Sequence, residues 1–476
     1  MGLKLFNTLS RSIQEFAPLD PAGKKAGMYC CGPTVYDYAH IGNWRTFVFA
    51  DLARRYLEFK GYEVKHVMNV TDVEDKIIKG VREAKMTLRE FTGKYESAFF
   101  ADMKTLNCLE PHQKPRATEH IPEIIALIEK LLARGVAYKA ADGSVYFSIE
   151  KYRNCGCNYG QLLKLNFDEM RAGERVASDE YDKESVADFA LWKARVSEDG
   201  DVFWKSDSLG EGRPGWHIEC SAMSMKALGE TFDLHLGGED LKFPHHEDEI
   251  AQSEGATGKP FVKYWLHGAF LLVEGKKMSK SLGNFFTLRD LIAKGFTGRE
   301  IRYLLLTAHY RETFNFTMEG LHGARTALAR IDECVGKLRE LGVPPSGGPV
   351  AEPPKGGTPN LLADFSAALD DDLNISAAWG EVFKWVTETN KRIAVNSLNA
   401  NDAAAALAAW DKVDSVLGIG TKSEAEIPAE IQALLEARQA ARKAKDFKKS
   451  DAIRDELKAK GWTIEDTPKG PKLKKI

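Results

Sequence analysis

The sequence predicts an α/β fold whose first half is built on a parallel sheet and whose C-terminal part is helical. Two buried-strand patterns, at 27–31 and 63–70, flank an amphipathic helix over 46–60. A strand–helix–strand order of this kind forms a parallel pair joined by a right-handed crossover. Residues 341–360 contain six prolines and five glycines, and 361–420 is rich in alanine and leucine at helical spacing. We therefore expect a sheet-based domain, a linker and a helical bundle, in that order.

The elements between these landmarks follow from periodicity along the chain. The apolar pattern predicts an amphipathic helix over 121–134. Pro122 would lie in its first turn, where proline is tolerated. From about 136 to 215 the pattern changes to hairpin-like strands and loops, which indicates an insertion into the first domain. The sheet-type pattern then resumes, with helices predicted over 217–228, 287–295 and 298–310 and strands over 232–236 and 267–273.

The C-terminal segment is predicted to form a helix pair over about 427–460 and a short strand at 462–465. From Arg438 to Ile476 there are thirteen Lys or Arg and six Asp or Glu, so this segment carries a charge of +7. A basic segment on a slightly acidic chain is typical of nucleic-acid binding. On charge alone, a solvated helical face explains the same pattern equally well.

Composition narrows the class of protein. The chain has 476 residues, of which 43% are hydrophobic and 28% charged, as in an ordinary globular protein of three or four domains. The N-terminus lacks the apolar run of a signal peptide, and no apolar span of 18 residues exists. Seven cysteines, an odd number in a long chain, do not indicate a disulfide framework. We expect a cytoplasmic protein without a membrane anchor.

Four side chains have the chemistry of a zinc site: Cys31, Cys220, His245 and Glu249. His245 and Glu249 are four residues apart, so they project from one face if their segment is helical. Thiolate, imidazole and carboxylate together favour Zn²⁺ over Mg²⁺ or Ca²⁺.

The other cysteines have simpler interpretations. Cys108 and Cys334 are predicted to be small buried hydrophobic residues. Cys155 and Cys157 suggest a second metal site, but no matching pair of ligands lies nearby in the sequence. A loop is the preferred interpretation.

Two segments have the features of a phosphate site. Residues 28–43 contain a short strand and a loop, and the predicted helix over 46–60 starts behind them, an arrangement that presents backbone N–H groups to an anion. Residues 275–284 form a small-residue loop with three lysines after a predicted strand. Lysines there can neutralise a polyphosphate, although a solvated surface turn has the same composition.

Specific motifs make the chain similar to a known family. His40-Ile41-Gly42-Asn43 and Lys277-Met278-Ser279-Lys280-Ser281 (the KMSKS loop) resemble the two signature motifs of class I aminoacyl-tRNA synthetases. Segments 32–37, 69–72, 213–223 and 243–247 resemble motifs of the cysteinyl-tRNA synthetase family within that class. The resemblance runs from Leu5 to about Pro468. It implies a Rossmann-type parallel-sheet catalytic domain with an inserted connective domain, followed by a helical bundle and a small C-terminal anticodon-binding module.

The resemblance also implies domain boundaries. The Rossmann-type catalytic domain would occupy 1–125 and, after a connective insertion at 126–215, continue over 216–300 with the KMSKS loop. The remaining parts would be stem-contact helices at 301–340, the Pro/Gly-rich linker at 341–360, a helical-bundle tRNA-binding domain at 361–425 and the basic anticodon-binding module at 426–476.

The family's residue roles can be carried over to matching positions. The resemblance implies one zinc ion per chain, bound by the same four residues, Cys31, Cys220, His245 and Glu249. It also implies catalytic roles for His40 and Lys280. Contacts with the substrate cysteine are implied at Thr71, Trp216 and His235, with supporting roles for His217 and His246. The implied ATP contacts are Pro33, Thr34, His40, Gly42, Asn43, Lys277, Met278, Ser279, Lys280 and Ser281.

The implied reaction has two steps. ATP, with Mg²⁺, and L-cysteine give cysteinyl-adenylate and pyrophosphate, and the cysteinyl group then passes to the 3′ end of tRNA(Cys). Zinc would select the thiol, because it binds and deprotonates a thiol far better than the hydroxyl of serine. Four protein ligands normally saturate zinc, so the Glu249 bond is expected to be long or labile. A monomer is the family expectation.

One residue departs from the family pattern. The first signature motif usually ends in histidine, and here it ends in Asn43. An amide can donate a hydrogen bond to phosphate but carries no charge, which would cost ~1–2 kcal/mol of transition-state stabilisation.

Two other functions share parts of this pattern. A cysteine ligase that joins activated cysteine to an amino sugar would keep the zinc and both motifs but need no anticodon module. A zinc-stabilised tRNA-binding factor without catalysis is the second alternative, motivated by Asn43. The basic segment after Arg438, in which Phe447 can stack on a base, favours a synthetase.

Overall fold

The computed structural model describes residues 2–163, 188–279, 282–342, 360–420, 429–444, 446–467 and 470–475. The chain divides into two compact units, Met1–Ile419 and Gly420–Ile476. Among the helices of these residues, none has the length and apolar character needed to cross a membrane.

The first unit begins with a separate two-stranded antiparallel hairpin, followed by the first half of a parallel sheet. Its elements are β1 (Lys4–Asn7), β2 (Ser12–Glu15), β3 (Lys25–Cys30), α1 (Ile41–Phe59), β4 (Glu63–Met68), α2 (Asp75–Ala84), α3 (Leu88–Thr105) and α4 (Ile121–Ala133). The helix predicted over 46–60 begins at Ile41 instead, because His40 and Asn43 cap its first turn reciprocally. The predicted strand–helix–strand unit is confirmed, since β3 and β4 pair in parallel.

The insertion forms its own antiparallel sheet. Its elements are β5 (Ala137–Lys139), β6 (Val145–Phe147), α5 (Ile149–Asn154), β7 (Phe189–Ala194), β8 (Trp204–Ser206) and β9 (Gly210–Pro214). The strand order is β5-β6-β7-β9-β8, with antiparallel neighbours throughout. A separate hydrophobic core that includes Phe147 and Trp192 packs this sheet against α4. The hairpin-like character predicted for this region is confirmed.

The chain then returns to the first sheet. The elements are α6 (Trp216–Leu228), β10 (Phe232–Gly238), α7 (His245–Thr257), β11 (Val262–Gly268), β12 (Leu271–Val273), β13 (Lys276–Lys277), α8 (Leu288–Ala293), α9 (Gly298–Leu305) and β14 (Phe314–Phe316). Strand β10 pairs in parallel with both β3 and β11, which gives the order β11-β10-β3-β4. The two sequence segments therefore complete one parallel sheet.

The single strand predicted over 267–273 is wrong. Its first residues end β11 in the parallel sheet, and its last residues form β12 in a separate sheet of order β13-β12-β14. The reason lies in backbone pairing: the Ala269 N–H donates to the Tyr310 carbonyl at 2.7 Å, and the Phe270 carbonyl accepts from the Phe314 N–H at 3.0 Å. The chain leaves β10 at this point for a different partner.

Four helices close the first unit: α10 (Met318–Leu341), α11 (Leu361–Asp370), α12 (Ile375–Ala394) and α13 (Ala400–Leu417). Their apolar faces share one continuous core with α1 and the parallel sheet. The helical bundle predicted after the linker is confirmed, and the linker itself, apart from its ends, lies outside the described residues.

A buried ion pair joins α1, α9 and α13. Arg302 Nη2 donates to Asp51 Oδ2 at 2.6 Å, and Arg302 Nε donates to the Leu417 carbonyl at 2.7 Å. Burial would raise the pKa of Asp51, but the guanidinium groups of Arg302 and Arg55 hold that pKa below its usual range. The carboxylate is therefore ionised in the interior, where its partners satisfy it.

The second unit is small. It contains α14 (Ala429–Lys443), α15 (Phe447–Ala459) and an antiparallel hairpin of β15 (Trp462–Thr467) and β16 (Gly470–Lys475). Ile453, Leu457 and Trp462 contribute to its own core. The predicted helix pair and strand are confirmed, and Phe447 lies at the start of α15 with 63% of its surface exposed.

Candidate active site

The four candidate metal ligands meet beside the carboxyl end of strand β3. Cys31 directly follows β3, Cys220 lies in the second turn of α6, and His245 and Glu249 lie one turn apart on α7. All four are buried, and their ligand atoms lie within 4.8 Å of one another. His245 and Glu249 therefore lie on one face of α7, as their spacing in the sequence predicts.

The distances fit a single bound cation. Cys31 Sγ lies 3.8 Å from Cys220 Sγ, 3.5 Å from His245 Nε2 and 3.5 Å from Glu249 Oε1. His245 Nε2 lies 3.2 Å from the same Glu249 oxygen. Two sulfur atoms, one imidazole nitrogen and one carboxylate oxygen are a donor set for a divalent transition metal.

The cluster also carries negative charge. A hydrogen bond from the Cys31 thiol lowers the pKa of Cys220 to about 6. Burial would raise the pKa of Glu249, but His235 and His245 lower it to about 2. Burial would lower the pKa of His245, but Cys220 and Glu249 raise it to about 10. The Cys220 thiolate and the Glu249 carboxylate could therefore bind a cation, which would replace the proton on His245.

A second, overlapping donor set uses Cys31, His235, His246 and Glu249, whose ligand atoms are equally close together. His246 Nε2 lies 3.5 Å from Cys31 Sγ, and His235 Nε2 lies 3.0 Å from Glu249 Oε2. Glu249 therefore turns Oε1 toward the first set while His235 holds Oε2. The first set contains two cysteine sulfur atoms and the second only one, which favours the first set for zinc.

Aromatic rings pack around the cluster. Trp216 stacks on His245 with ring centroids 4.5 Å apart, and Trp265 stacks on His235 at 4.4 Å. The predicted cysteine contacts Trp216 and His235 thus both touch members of the cluster. Rings fixed in this way hold the donor atoms in place.

Two residues at the base of the cluster were not singled out from the sequence. His267 Nε2 lies 2.7 Å from His246 Nδ1, and His267 Nδ1 lies 2.8 Å from Thr8 Oγ1. His267 was readable only as part of a strand, and no sequence signal points to Thr8. They meet because β11 brings His267 beside the N-terminal hairpin of β1 and β2.

The loop after Cys31 packs tightly against the segment that follows β4. The Gly32 N–H donates to Asn69 Oδ1 at 2.8 Å, and a Cβ at Gly32 would lie 1.8 Å from the Asn69 carbonyl oxygen. The Thr71 N–H donates to the Pro33 carbonyl at 3.1 Å. Thr34 forms an isolated bridge with Thr71. The predicted ATP contacts Pro33 and Thr34 therefore lie beside the predicted cysteine contact Thr71.

The first signature motif forms the N-terminus of α1. The His40 N–H donates to Asn43 Oδ1 at 3.0 Å, and the Asn43 N–H donates to His40 Nδ1 at 3.2 Å. A Cβ at Gly42 would lie 3.1 Å from Met278 Cε, so the two signature motifs touch. The positive end of the helix dipole at this N-terminus is a favourable place for phosphate.

The KMSKS loop is only partly described. Lys277 is exposed, whereas Met278 and Ser279 are half-buried. Asn284 shapes the loop, because its Oδ1 accepts from the Ser279 N–H at 2.8 Å and its Nδ2 donates to the Lys277 carbonyl at 3.2 Å. The predicted catalytic Lys280 and the ATP contact Ser281 lie outside the described residues.

Three known families match consecutive parts of this chain. Residues 18–326 match the class I (C) tRNA synthetase catalytic domain, residues 364–421 match the DALR domain, and residues 424–471 match the cysteinyl-tRNA ligase anticodon binding domain.

Whole-length relatives and solved structures agree with these matches. The chain is 48% identical to a cysteine–tRNA ligase of Chlamydia muridarum over 100% of both chains. It is 47% identical to one of Protochlamydia amoebophila over 99% of this chain and 98% of the relative. A methionyl-tRNA synthetase of Mycobacterium tuberculosis has a similar fold, with a TM-score of 0.61 and 14% identity over 87% of this chain and 94% of that one. A putative arginyl-tRNA synthetase of Campylobacter jejuni has a TM-score of 0.55 and 13% identity, over 84% and 94% of the two chains.

Proposed function

Because this chain belongs to the cysteinyl-tRNA synthetase family of class I aminoacyl-tRNA synthetases, we propose that it activates L-cysteine with ATP and transfers it to the 3′ end of tRNA(Cys). One observation carries the proposal. Cys31, a member of the buried cluster, lies on the same loop that leads to His40 and Asn43 at the start of α1. A thiol-binding site and a phosphate-binding site are thus adjacent in the chain, as the joining of a cysteine carboxylate to an α-phosphate requires.

We propose that the metal is one zinc ion held by Cys31, Cys220, His245 and Glu249. The buried position, the mixed sulfur, nitrogen and oxygen donors and their mutual distances support this choice. When bound, zinc supplies selectivity, because it accepts a substrate thiolate far more readily than a serine hydroxyl. His235 Nε2 contacts Oε2 of Glu249. If the substrate thiolate displaced Glu249 Oε1 from the metal, this contact with His235 would still hold the Glu249 side chain.

The adenylation step needs positioning and charge stabilisation but no protein nucleophile, since the substrate carboxylate attacks the α-phosphorus directly. His40 Nδ1 accepts a hydrogen bond from the Asn43 N–H, so a neutral His40 carries its proton on Nε2 and can donate it to a phosphate oxygen. Asn43 Oδ1 accepts from the His40 N–H, which leaves its Nδ2 group as a second donor. We propose that Lys280 neutralises the phosphates together with the Mg²⁺ that accompanies ATP.

We assign tRNA recognition to the helical bundle and the second unit, with the domain boundaries that the sequence predicts. The bundle packs on α1 in one core, so its position relative to the ATP site is fixed. In the second unit, Phe447 is exposed at the start of α15 and has an aromatic face on which a base can stack. A monomer in the cytoplasm completes the proposal.

Two assays test this function in sequence. Cysteine-dependent exchange of pyrophosphate into ATP by pure, zinc-loaded protein tests adenylation, and its absence would favour a non-catalytic tRNA-binding factor. Charging of tRNA(Cys) transcripts with an intact or altered GCA anticodon then tests transfer. Equal charging of transcripts with intact and altered anticodons would contradict the role in tRNA recognition proposed for the second unit. Adenylation without any charging of tRNA would favour a cysteine ligase.

A further inference from the structure

A chain of buried and partly buried polar groups connects the connective insertion to one of the candidate metal ligands. His245 turns Nε2 toward the cluster, and its other ring nitrogen, Nδ1, lies 2.9 Å from Nδ1 of His217. His217 Nε2 lies 3.4 Å from Asp248 Oδ2. The hydroxyl of Tyr159 donates to the other oxygen of Asp248. The family resemblance gives His217 only a general supporting role, and neither Asp248 nor Tyr159 has a role in the function proposed above.

The directions of these hydrogen bonds follow from the chemistry of the groups. If His245 binds a metal through Nε2, its proton must reside on Nδ1, and that N–H donates to His217 Nδ1. His217 Nδ1 then acts as the acceptor, so its own proton resides on Nε2, which faces Asp248 Oδ2 at 3.4 Å. Asp248 accepts a hydrogen bond from Tyr159 on Oδ1, whereas Oδ2 has no hydrogen-bond partner among the described residues and makes this longer polar contact with His217. The order of the groups therefore fixes the tautomers of both imidazoles.

The Tyr159 end of the chain is itself anchored. The carboxylate of Glu247 accepts hydrogen bonds from the backbone N–H groups of Gly160, Gln161 and Leu162 at 2.7, 3.0 and 2.9 Å. Tyr159 is 4% exposed and precedes this turn directly. The hydroxyl thus belongs to a fixed segment of the insertion that is bound to α7, the helix that bears His245.

We propose that Tyr159, Asp248 and His217 are positioning residues that fix the tautomer and orientation of His245 as a metal ligand. The proposal rests on the zinc site proposed above and extends it, because it gives the connective insertion a direct part in the affinity for zinc. Partners that hold the second nitrogen of a metal-binding histidine typically change metal affinity by 10- to 100-fold when they are removed. In this chain the carboxylate acts through an intervening histidine.

The test is the affinity of the full-length, metal-free protein for Zn²⁺, measured by competition with a chromophoric chelator. Asp248→Asn is expected to weaken binding about 10- to 100-fold. Tyr159→Phe, which retains the ring and removes only the hydroxyl, is expected to weaken it roughly 2- to 10-fold, the usual effect of one hydrogen bond. Tyr152→Phe is the matched control, because Tyr152 is another buried tyrosine of the insertion and its hydroxyl has no hydrogen-bond partner among the described residues.

A second measurement separates positioning from loss of structure. With Co²⁺ in place of zinc, the thiolate-to-metal charge-transfer bands are expected to persist in Tyr159→Phe, and its thermal unfolding is expected to stay cooperative. If Asp248→Asn unfolds, Tyr159→Phe alone decides. Wild-type affinity in Tyr159→Phe would overturn the positioning role while leaving the zinc site intact. A wild-type protein that binds no zinc would instead overturn the zinc site and this inference with it.

Discussion

The helix cap at the start of α1 allows the two roles of Asn43 to be separated by one substitution. In Asn43→Asp, a carboxylate oxygen can still accept the hydrogen bond that Asn43 Oδ1 accepts from the His40 N–H at 3.0 Å. The side chain loses its N–H₂ donor, and a negative charge replaces it. The cap is therefore retained, whereas the proposed contact with phosphate becomes repulsive.

Asn43→Asp is expected to increase the free energy of unfolding and to decrease the rate of adenylation. An acidic residue in the first turn of a helix favours folding by about 0.3–1 kcal/mol. Two unit charges 4 Å apart repel by about 1 kcal/mol in water and about 4 kcal/mol near a protein surface. The lost hydrogen bond adds about 0.5–1.5 kcal/mol. The sum, about 1.5–5.5 kcal/mol, corresponds to a decrease of roughly 10-fold to ten-thousand-fold in kcat/KM for ATP.

The assay is cysteine-dependent pyrophosphate exchange at varied ATP concentration, combined with thermal unfolding of the same preparations. Asp402→Asn makes the reverse exchange at the equivalent position of the cap of α13, where Asn399 is the cap residue. This control is expected to lower stability slightly and to leave the exchange rate unchanged.

Two results would refute the reasoning. Exchange by Asn43→Asp within about threefold of wild type would mean that Asn43 does not face a phosphate, since threefold is below the expected loss. A parallel fall in stability and activity would mean that the substitution breaks the cap, so that the activity reports structure instead of a phosphate contact.

Three further predictions concern the metal, the core and the loop after Cys31. Cys220→Ser is expected to abolish stoichiometric zinc in purified protein, whereas His246→Gln retains it; metal analysis giving the reverse pattern would favour the second donor set. Asp51→Asn is expected to cost about 3–5 kcal/mol in urea unfolding at pH 7, because it leaves Arg302 buried without its counter-charge. Since the pKa of Asp51 is lowered in the folded state, this difference should persist at pH 5 and shrink only below the usual carboxyl range, and a difference that vanishes at pH 5 would contradict the assignment. Gly32→Ala is expected to lower stability by about 1–3 kcal/mol and to raise KM for cysteine, because a Cβ has no room beside a backbone carbonyl; unchanged values would contradict the tight approach.

Local pattern was enough to predict most of the elements. The strand–helix–strand unit of β3, α1 and β4, the helices of the bundle and the helix pair of the second unit were all predicted from periodicity. The error at 267–273 arose because two strands of different sheets form one apolar run, and periodicity cannot tell which partner each residue pairs with. The early start of α1 was missed because histidine is an unusual cap residue.

The sequence by itself determined which residues are candidates for the site, and only the tertiary structure decided which groups meet. Residue types and an i,i+4 spacing singled out Cys31, Cys220, His245 and Glu249, because helical geometry is a local property. The spacing alone was a weak signal, since the four residues come from three separated segments. The sequence could not reveal the competing set with His235 and His246, the support of His267 by Thr8, or the hydroxyl of Tyr159 on Asp248. These contacts join residues far apart in the chain, such as Cys31 and Cys220 at a separation of 189 positions. They arise from the order of strands in the parallel sheet and from the way the insertion folds back onto α7, neither of which leaves a local pattern.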